Sequence, residues 1–251
     1  MLKKKFTIIF IATFLCCIAA FSQDKITIQS SYYVVDSTYD VNPSKKAEKL
    51  IGKYKPIIDE RVSKKVGESA QAMKATMQES LLTNFACDVI LKKGSEILNE
   101  PADLSLLNIG GFRAVLPQGD VLLGDLFNIF PFDNTIQIAF IKGIYLRQLF
   151  TMFVAKQMQP MSNVVLKIQN KQLKEVLIGG QPLEDEKVYK LVTIDYLILG
   201  GDDMTALTQA ERYISTSLQL RDVITEYIAD KYRQGLQVDA TIEERVIFIE
   251  Q

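Results

Sequence analysis

The spacing of hydrophobic residues along the chain switches several times between the period of a helix and that of a strand. Apolar residues recur every three or four positions in some stretches, which is typical of an amphipathic helix. In others they alternate or form short runs, which is typical of a strand. The pattern predicts helices over residues 45–58, 79–92, 144–156 and 218–232. It predicts strands over residues 25–35, 104–107, 135–141, 164–168, 173–178, 188–194 and 245–249.

The helix predicted over residues 79–92 has the most regular pattern. Ser80 is a candidate N-cap at its start, since a serine oxygen can accept a hydrogen bond from the first turn. The apolar positions keep helical spacing over two turns and predict a stripe that faces the core. This stripe consists of Leu82, Phe85, Ala86, Val89 and Ile90.

The order and length of these elements predict an α+β fold with mixed, mostly antiparallel sheets covered by helices. Turn residues separate the later strands, with Asn170-Lys171 after one and Gly179-Gly180 after the next. The chain has no fixed-period repeat, no low-complexity linker and no sign of a second domain boundary.

The first residues have the layout of a secretory signal peptide. Three lysines at positions 3–5 precede an apolar run over residues 6–20, which is too short to span a bilayer comfortably. We therefore expect a signal peptide at residues 1–22, a domain at residues 23–251, export to the periplasm, and no membrane span after cleavage. Cys16 and Cys17 do not follow the small residue that lipoprotein processing prefers, so lipid anchoring is disfavoured.

Composition excludes several classes of function. The chain has no histidine, which excludes Ser-His and Cys-His nucleophiles and removes the usual imidazole ligands of zinc, manganese and iron. Without the three lysines of the leader, 26 basic residues face 30 acidic ones, a net charge of −4, so nucleic acid and anionic membranes are not expected partners. Only Cys87 follows the leader, so no intramolecular disulfide is expected.

A stretch in the middle of the chain combines groups suited to holding a ligand. Gly110 and Gly111 can take positive φ and let the backbone approach a ligand closely. Arg113 then offers a planar fork of donors for phosphate or vicinal hydroxyl oxygens. Further on, Phe132 offers a stacking face and Asn134 an amide that can donate and accept. Taken singly, each has an ordinary alternative: a hairpin turn, a surface charge or a core phenylalanine.

The combination of motifs resembles the C-terminal domain of the 5'-nucleotidase family. The motifs occur in the family's order and at similar spacing, and the resemblance extends from about residue 79 to the strand at residue 245. They are Asn108-x-Gly110-Gly111-x-Arg113, Gly124-Asp125-Leu126-Phe127, Pro131-Phe132-x-Asn134, and Gly200-Gly201-Asp202 preceded by Tyr196.

The resemblance implies a layered α/β/β/α arrangement and a site for a nucleotide or nucleoside. It places the base between Phe132 and Tyr196 with its polar edge toward Asn134, the ribose hydroxyls on Asp202, and Arg113 toward ribose or phosphate. Half-buried core packing for Tyr196 and turn chemistry for Asp202 stay open as alternatives. The implied substrate-binding residues are Asn108, Gly110, Gly111, Arg113, Phe132, Asn134, Tyr196 and Asp202.

The chain also departs from the family's pattern. Ala72 and Thr76 stand where better-known members present two arginines to the ligand phosphate, so part of the phosphate clamp is missing. Ser162-Asn163 replaces a Ser-Gly pair near the base, which we expect to narrow that side of the pocket or change its selectivity. The helix over residues 45–58 is either a remnant of the helix that joins the two domains in the family or an ordinary packing helix.

These observations predict the substrate-binding half of a split 5'-nucleotidase. Catalysis would need a separate metallophosphatase chain carrying the divalent metal, and we expect no catalytic residue, metal or cofactor in this chain. One alternative is a stand-alone periplasmic nucleoside-binding or surface protein without catalysis. The other is a hydrolase that uses the adjacent carboxylates Asp202 and Asp203, although neighbours on a turn rarely converge on one bond.

Overall fold

Helices and strands follow one another from residue 45 to residue 248 in the computed structural model, which describes residues 28–38 and 44–249. The predicted signal peptide at residues 1–22 lies outside the described residues. By its internal contacts the chain divides into two units, Met1–Ile51 and Gly52–Gln251. No helix in the described ranges is long and apolar enough to cross a membrane.

The prediction of a strand over residues 25–35 is wrong for residues 28–35, the part that the structure describes. Residues 28–35 form no regular secondary structure, and Tyr32 and Tyr33 are exposed; residues 25–27 lie outside the described ranges. An alternating pattern is not sufficient for a strand, because a strand is stable only when another strand pairs with it.

The first helix, α1, spans Lys45–Val62 and confirms the prediction over residues 45–58. None of its residues is buried, and its apolar positions Leu50, Ile51, Tyr54 and Ile58 are all exposed. The interpretation as an ordinary packing helix is therefore wrong for the part of the chain that the structure describes.

The remaining elements lie in the second unit. Its α-helices are α2 (Leu81–Leu98), α3 (Leu123–Ile129), α4 (Gly143–Ala155), α5 (Asp195–Ile198) and α6 (Leu220–Arg233). Its strands are β1 (Lys65–Ser69), β2 (Leu104–Leu106), β3 (Gly119–Leu122), β4 (Thr135–Lys142), β5 (Met161–Ser162), β6 (Val164–Gln169), β7 (Gln172–Ile178), β8 (Gln181–Pro182), β9 (Val188–Ile194), β10 (Arg212–Gln219) and β11 (Val246–Phe248). Short 3-10 turns cover Ile109–Gly111, Gly201–Asp203 and Thr205–Gln209.

The strands form three sheets, and the predicted α+β class with mostly antiparallel pairing is confirmed. A five-stranded sheet has the order β10-β4-β9-β2-β5, in which only the β2–β9 pair is parallel. A four-stranded sheet has the order β11-β6-β7-β8, in which only the β11–β6 pair is parallel. Strands β1 and β3 pair by themselves, antiparallel.

The hydrophobic core lies between the five-stranded sheet and its helices. In β4 both faces are buried, since Ile138 and Ala139 point to opposite faces and neither is exposed. Helix α2 buries the whole predicted stripe of Leu82, Phe85, Ala86, Val89 and Ile90. A Cβ on Gly94 of this helix would lie 2.2 Å from a methyl of Val192 in β9, so the glycine permits close packing of helix on sheet.

Most predicted boundaries hold to within a few residues, and Ser80 does precede α2 as its N-cap. Gly143, predicted as a turn, is instead the first residue of α4, where a Cβ would lie 2.0 Å from the Glu184 carbonyl oxygen. The predicted last helix begins at Leu220, because Leu218 still belongs to β10. Strand β10 was missed since it lies at the sheet edge, largely exposed, and shows no apolar alternation.

Strand directions bring four chain segments to one end of the five-stranded sheet. The end of β9 lies beside the start of antiparallel β4, where Ile194 faces Ile136. The end of parallel β2 lies on the other side of β9. The end of β10 also reaches this point, where Gln219 faces Thr135. The residues that follow β2, precede β4 and follow β9 and β10 therefore meet in space.

Candidate functional site

A cleft of about 370 Å³ opens at this end of the sheet. Its volume is in the usual range for small-molecule sites. Seven of the eight predicted residues line it, and they come from three separate parts of the chain: Asn108, Gly110, Arg113, Phe132, Asn134, Tyr196 and Asp202. The eighth, Gly111, lies beside it and lines a smaller adjoining pocket with Phe112 and Phe130.

The paired glycines Gly110 and Gly111 leave room for the Asn108 side chain to pack against the backbone. Neither Gly110 nor Gly111 is among the glycines with positive φ, so the turn does not use the left-handed freedom that glycine allows. Instead they form a 3-10 turn, against which the Asn108 side chain packs. A Cβ would lie 3.2 Å from Asn108 Oδ1 at Gly111 and 3.4 Å from Asn108 Nδ2 at Gly110. Larger residues here would displace Asn108.

Asn108 and Tyr196 both hold the Asp202 carboxylate. The buried Asn108 amide donates to Asp202 Oδ2 at 2.7 Å, and the Tyr196 hydroxyl donates to Asp202 Oδ1 at 2.8 Å. The Tyr196 oxygen also accepts from the Asp202 backbone N–H at 3.3 Å. Because the hydroxyl donates to a carboxylate, the pKa of Tyr196 is raised above the usual value for tyrosine. Each carboxylate oxygen keeps a further acceptor site.

The loop that carries Asp202 has an unusual backbone. Gly200 has φ of 88°, and the two aspartates Asp202 and Asp203 have φ of 52° and 62°, a left-handed region that costs most side chains energy. A Cβ on Gly201 would lie 2.5 Å from the Tyr196 ring. The ring therefore packs directly on the Gly201 backbone, which fixes its orientation.

The two aromatic rings of the cleft are half exposed. Phe132 is 48% exposed, so the alternative interpretation of this residue as a core phenylalanine is wrong. Tyr196 is 43% exposed, which is half-buried, with one side of its ring on Gly201. The ring pairs in contact among the described residues do not include Phe132 with Tyr196. Each ring therefore keeps surface available to a ligand in the cleft.

Arg113 and Asn134 supply the unpaired polar groups. The exposed Arg113 makes one long hydrogen bond, from Nη1 to the Gly110 carbonyl at 3.5 Å, and no ion pair within the described residues. The Asn134 carbonyl accepts from Leu220 N–H at 2.9 Å, while its side chain makes no hydrogen bond in the described part of the chain. Both side chains are available to a ligand.

Two residues that sequence reasoning missed hold the site loops. Gln159 Oε1 accepts from the Ile109 N–H at 2.9 Å, and Arg221 contacts the loop before Asn134. No motif marks Gln159. Arg221 could have been noticed, because it shares the buried face of α6 with Ile224 and Ile228, at i, i+3 and i+7, where a cation is unexpected.

The positions that depart from the family do not line the cleft. Ser162 donates to Asp88 at 2.5 Å, and Asn163, with φ of 59°, donates to the Asp103 carbonyl at 2.7 Å. The expected narrowing of the pocket by Asn163 is therefore wrong. Ala72 and Thr76 are also absent from the lining.

The adjacent aspartates turn to different partners. Asp202 faces Asn108 and Tyr196, whereas Asp203 forms an exposed ion pair of 3.0 Å with Lys156. They do not converge on one point, which is against a hydrolase built on this pair. Among the described residues no group of three or more His, Cys, Asp or Glu side chains could hold a metal ion.

Sequence comparison finds known proteins to which this chain is similar. A family model described as the 5'-nucleotidase C-terminal domain matches residues 61–209. Protein UshA of Yersinia enterocolitica is 29% identical over 132 residues, which cover 51% of this chain and 24% of that protein. The trifunctional nucleotide phosphoesterase protein YfkN of Bacillus subtilis is 24% identical over 240 residues, which cover 84% of this chain and 16% of that protein.

The fold is also shared with solved structures. The 5'-nucleotidase precursor of Thermus thermophilus superposes with a TM-score of 0.70 at 20% identity, over 82% of this chain and 43% of that one. This chain thus spans less than half of that structure and no more than 24% of these two curated relatives. Because the family model covers more than half of its residues, this protein belongs to the family of 5'-nucleotidase C-terminal domains.

Proposed function

We propose that this domain binds a nucleotide or nucleoside in the 370 Å³ cleft. The observation that carries the proposal is the placement of two half-exposed aromatic rings, Phe132 and Tyr196, on one cleft with a carboxylate and an unpaired guanidinium. Rings of this kind stack on any base, since every base has a π-face. The Asn134 amide can then pair with the polar edge of the base.

The polar groups of the cleft suit a ribose, and Arg113 can also bind one phosphate group. Asp202 keeps one free acceptor site on each oxygen after its bonds to Asn108 and Tyr196, which matches two neighbouring hydroxyl donors. Arg113 is the one cation of the lining, and a guanidinium can donate two parallel hydrogen bonds to a phosphate or a diol. The ligand then lies with its base between the rings and its ribose on Asp202.

We further propose that phosphate release depends on a separate metallophosphatase chain. The 251 residues contain no histidine, which removes the usual imidazole ligands of a hydrolytic metal and the Ser-His and Cys-His nucleophiles. In this arrangement the domain binds the substrate, and the partner supplies the divalent metal that performs the hydrolysis. Cleavage of a signal peptide at residues 1–22 and export to the periplasm belong to the same proposal.

A stand-alone nucleoside-binding protein is the second candidate function. The observation that favours it is the single cation of the cleft lining, since one exposed arginine gives weak selection for a phosphate over a free hydroxyl. The two candidates differ in whether a partner enzyme needs this chain for activity.

Calorimetry with adenosine and adenosine monophosphate tests the binding proposal directly. Stacking on an aromatic side chain contributes on the order of 1 to 3 kcal/mol, so Phe132→Ala and Tyr196→Ala should each weaken binding roughly five- to a hundredfold. Tyr213→Ala is a matched control, because this tyrosine is exposed on β10 and does not line the cleft. Unchanged affinity in both cleft variants would exclude the stacking arrangement.

A further inference from the structure

Arg221 is a buried cation directly behind the candidate cleft. It lies in the first turn of α6, its side chain is 7% exposed, and its carboxylate partner, Asp133, is 73% exposed. Burying a guanidinium costs free energy that an exposed partner recovers only in part. Its Nε–H is also buried without an acceptor in the described part of the chain. Stability alone is therefore a poor explanation for this residue.

The guanidinium of Arg221 is arranged around the loop of residues 130–134. Nη1 donates to the Phe130 carbonyl at 2.9 Å, and Nη2 donates to Asp133 Oδ1 at 2.7 Å. Nη2 also donates to Gln219 Oε1 at 3.1 Å, and the guanidinium carbon lies 4.1 Å from the centre of the Phe127 ring. One side chain thus joins both ends of the loop to α3 and to the end of β10.

The residue fixed by these contacts is Phe132, which lies between the two anchor points. Phe132 is 48% exposed, so its own packing holds the ring only in part. The loop is anchored on one side by the Phe130 carbonyl and on the other by Asp133 and by the Leu220 N–H bond to Asn134. Two of these three anchors belong to Arg221.

We propose that Arg221 is a positioning residue that fixes the loop of residues 130–134 and so holds the Phe132 ring on the cleft. This rests on the proposed function in one respect, that Phe132 stacks on the ligand. A lysine cannot replace the guanidinium here, because an ammonium group has no planar face for Phe127 and no fork that reaches two acceptors in fixed directions. The loop would then move on its remaining anchor.

The absence of tryptophan from the sequence allows the loop to be observed without any ligand. Phe132→Trp places a single fluorophore on the loop, and its steady-state anisotropy and its quenching by acrylamide report loop mobility. Adding Arg221→Lys is expected to lower the anisotropy and to increase the quenching rate about twofold or more. Arg245→Lys is the matched control, since Arg245 is equally buried and bonds Asp88 and the Met161 carbonyl instead. Arg245→Lys should change Tm about as much as Arg221→Lys does, and it should leave the anisotropy and the quenching of the introduced tryptophan unchanged.

Ligand affinity provides the second readout. In the chain with Phe132 intact, Arg221→Lys should weaken adenosine binding about tenfold, the size expected when stacking on one ring is impaired. In a cycle with Phe132→Ala, Arg221→Lys should cost little more, because it acts through that ring. Additive losses in the cycle would show that Arg221 does not act through Phe132 and would overturn the proposal.

The outcomes separate this proposal from the proposed function. If Arg221→Lys leaves the anisotropy and quenching of the introduced tryptophan unchanged, the proposal is overturned whether or not a nucleoside binds. A mobile tryptophan in a chain that binds no nucleoside would support loop positioning and reject the proposed function. If Arg221→Lys does not fold, Asp133→Ala removes the acceptor of one anchor from the exposed side and should mobilise the tryptophan in the same direction; a rigid tryptophan there would count against the proposal.

Discussion

The hydroxyl of Tyr196 donates a 2.8 Å hydrogen bond to the carboxylate of Asp202, six residues further along the chain. Asn108 donates to the other oxygen of the same carboxylate from 94 residues earlier in the chain. Asp202 is therefore held at both oxygens before any ligand arrives, and the Tyr196 ring is fixed by the group that it orients. A site held in this way loses little conformational freedom on binding, which favours affinity.

The ring and the hydroxyl of Tyr196 have separable roles. Tyr196→Phe keeps the stacking face and removes one bond to Asp202, so we expect binding of adenosine to weaken only about threefold to tenfold, the usual value of one hydrogen bond. Tyr196→Ala removes both and should weaken binding more than Tyr196→Phe does, by up to roughly a hundredfold. Calorimetry on the two variants checks this order. Equal losses in both would mean that the ring contributes nothing.

The Tyr196–Asp202 bond also predicts an alkaline change in stability. The pKa of Tyr196 is raised in the folded chain because the carboxylate accepts its proton in a hydrogen bond. The contribution to stability is therefore complete below the ordinary tyrosine pKa of about 10 and is lost as the pH rises through the higher folded value. Denaturant unfolding should show the wild type losing stability above about pH 10 faster than Tyr196→Phe. Parallel pH profiles would contradict the assignment.

Gly201 is expected to tolerate no side chain. A Cβ there would lie 2.5 Å from the Tyr196 ring, so Gly201→Ala must displace the ring, at a cost of roughly 1 to 3 kcal/mol. Adenosine affinity should fall together with Tm. Gly52→Ala is the control, because nothing lies within 4 Å of that position in α1 and alanine favours the helix. An unchanged affinity in Gly201→Ala would show that the ring does not contact the ligand.

Arg113 should decide the preference for a phosphate. It is the one cation among the cleft-lining residues and forms no ion pair in the described ranges. An ion pair at an exposed site contributes about 0.2 to 1 kcal/mol, so Arg113→Ala should weaken adenosine monophosphate by up to about fivefold and leave adenosine unchanged. The difference should shrink with added salt. Equal loss for both ligands would place Arg113 on the ribose instead.

The chain by itself is expected to release no phosphate from adenosine monophosphate, with or without a divalent metal. Mixing it with an exported metallophosphatase should produce activity that falls in Arg113→Ala and Asp202→Ala, since the substrate must be held while the metals act. Phosphate release is measured against the partner alone. A partner that is equally active without this chain would favour the stand-alone binding protein.

Hydrophobic patterns in the sequence predicted the helices and strands that are buried on one face or on both faces. The stripe of α2 and the apolar run of β9 were predicted closely, because burial against a sheet or within it imposes a period on the residue types. Strand β10 and the short strands β1 and β3 were not predicted, since pairing rather than burial defines them. The reverse error is the strand predicted over residues 25–35, since its described part, residues 28–35, pairs with no strand in the described ranges.

Motifs in the sequence also predicted the residues of the candidate site and the 5'-nucleotidase family, of which the family is confirmed. The sequence could name Phe132 from the chemistry of its loop, and the resemblance to the 5'-nucleotidase family added Tyr196 and Asp202 as candidates. It could not show that Asp202 is shared by two donors or that the paired glycines serve the Asn108 side chain. Those are contacts between distant segments, which local spacing does not encode.

The tertiary structure decided which segments meet and what holds them. Four strand ends converge because β9 runs antiparallel to β4 and parallel to β2, and β10 runs antiparallel to β4. This places Arg221, which no motif marks, behind the loop that carries Phe132. Periodicity along the chain reflects which face of an element is buried, whereas a binding site depends on strand direction and order, which are set by long-range pairing.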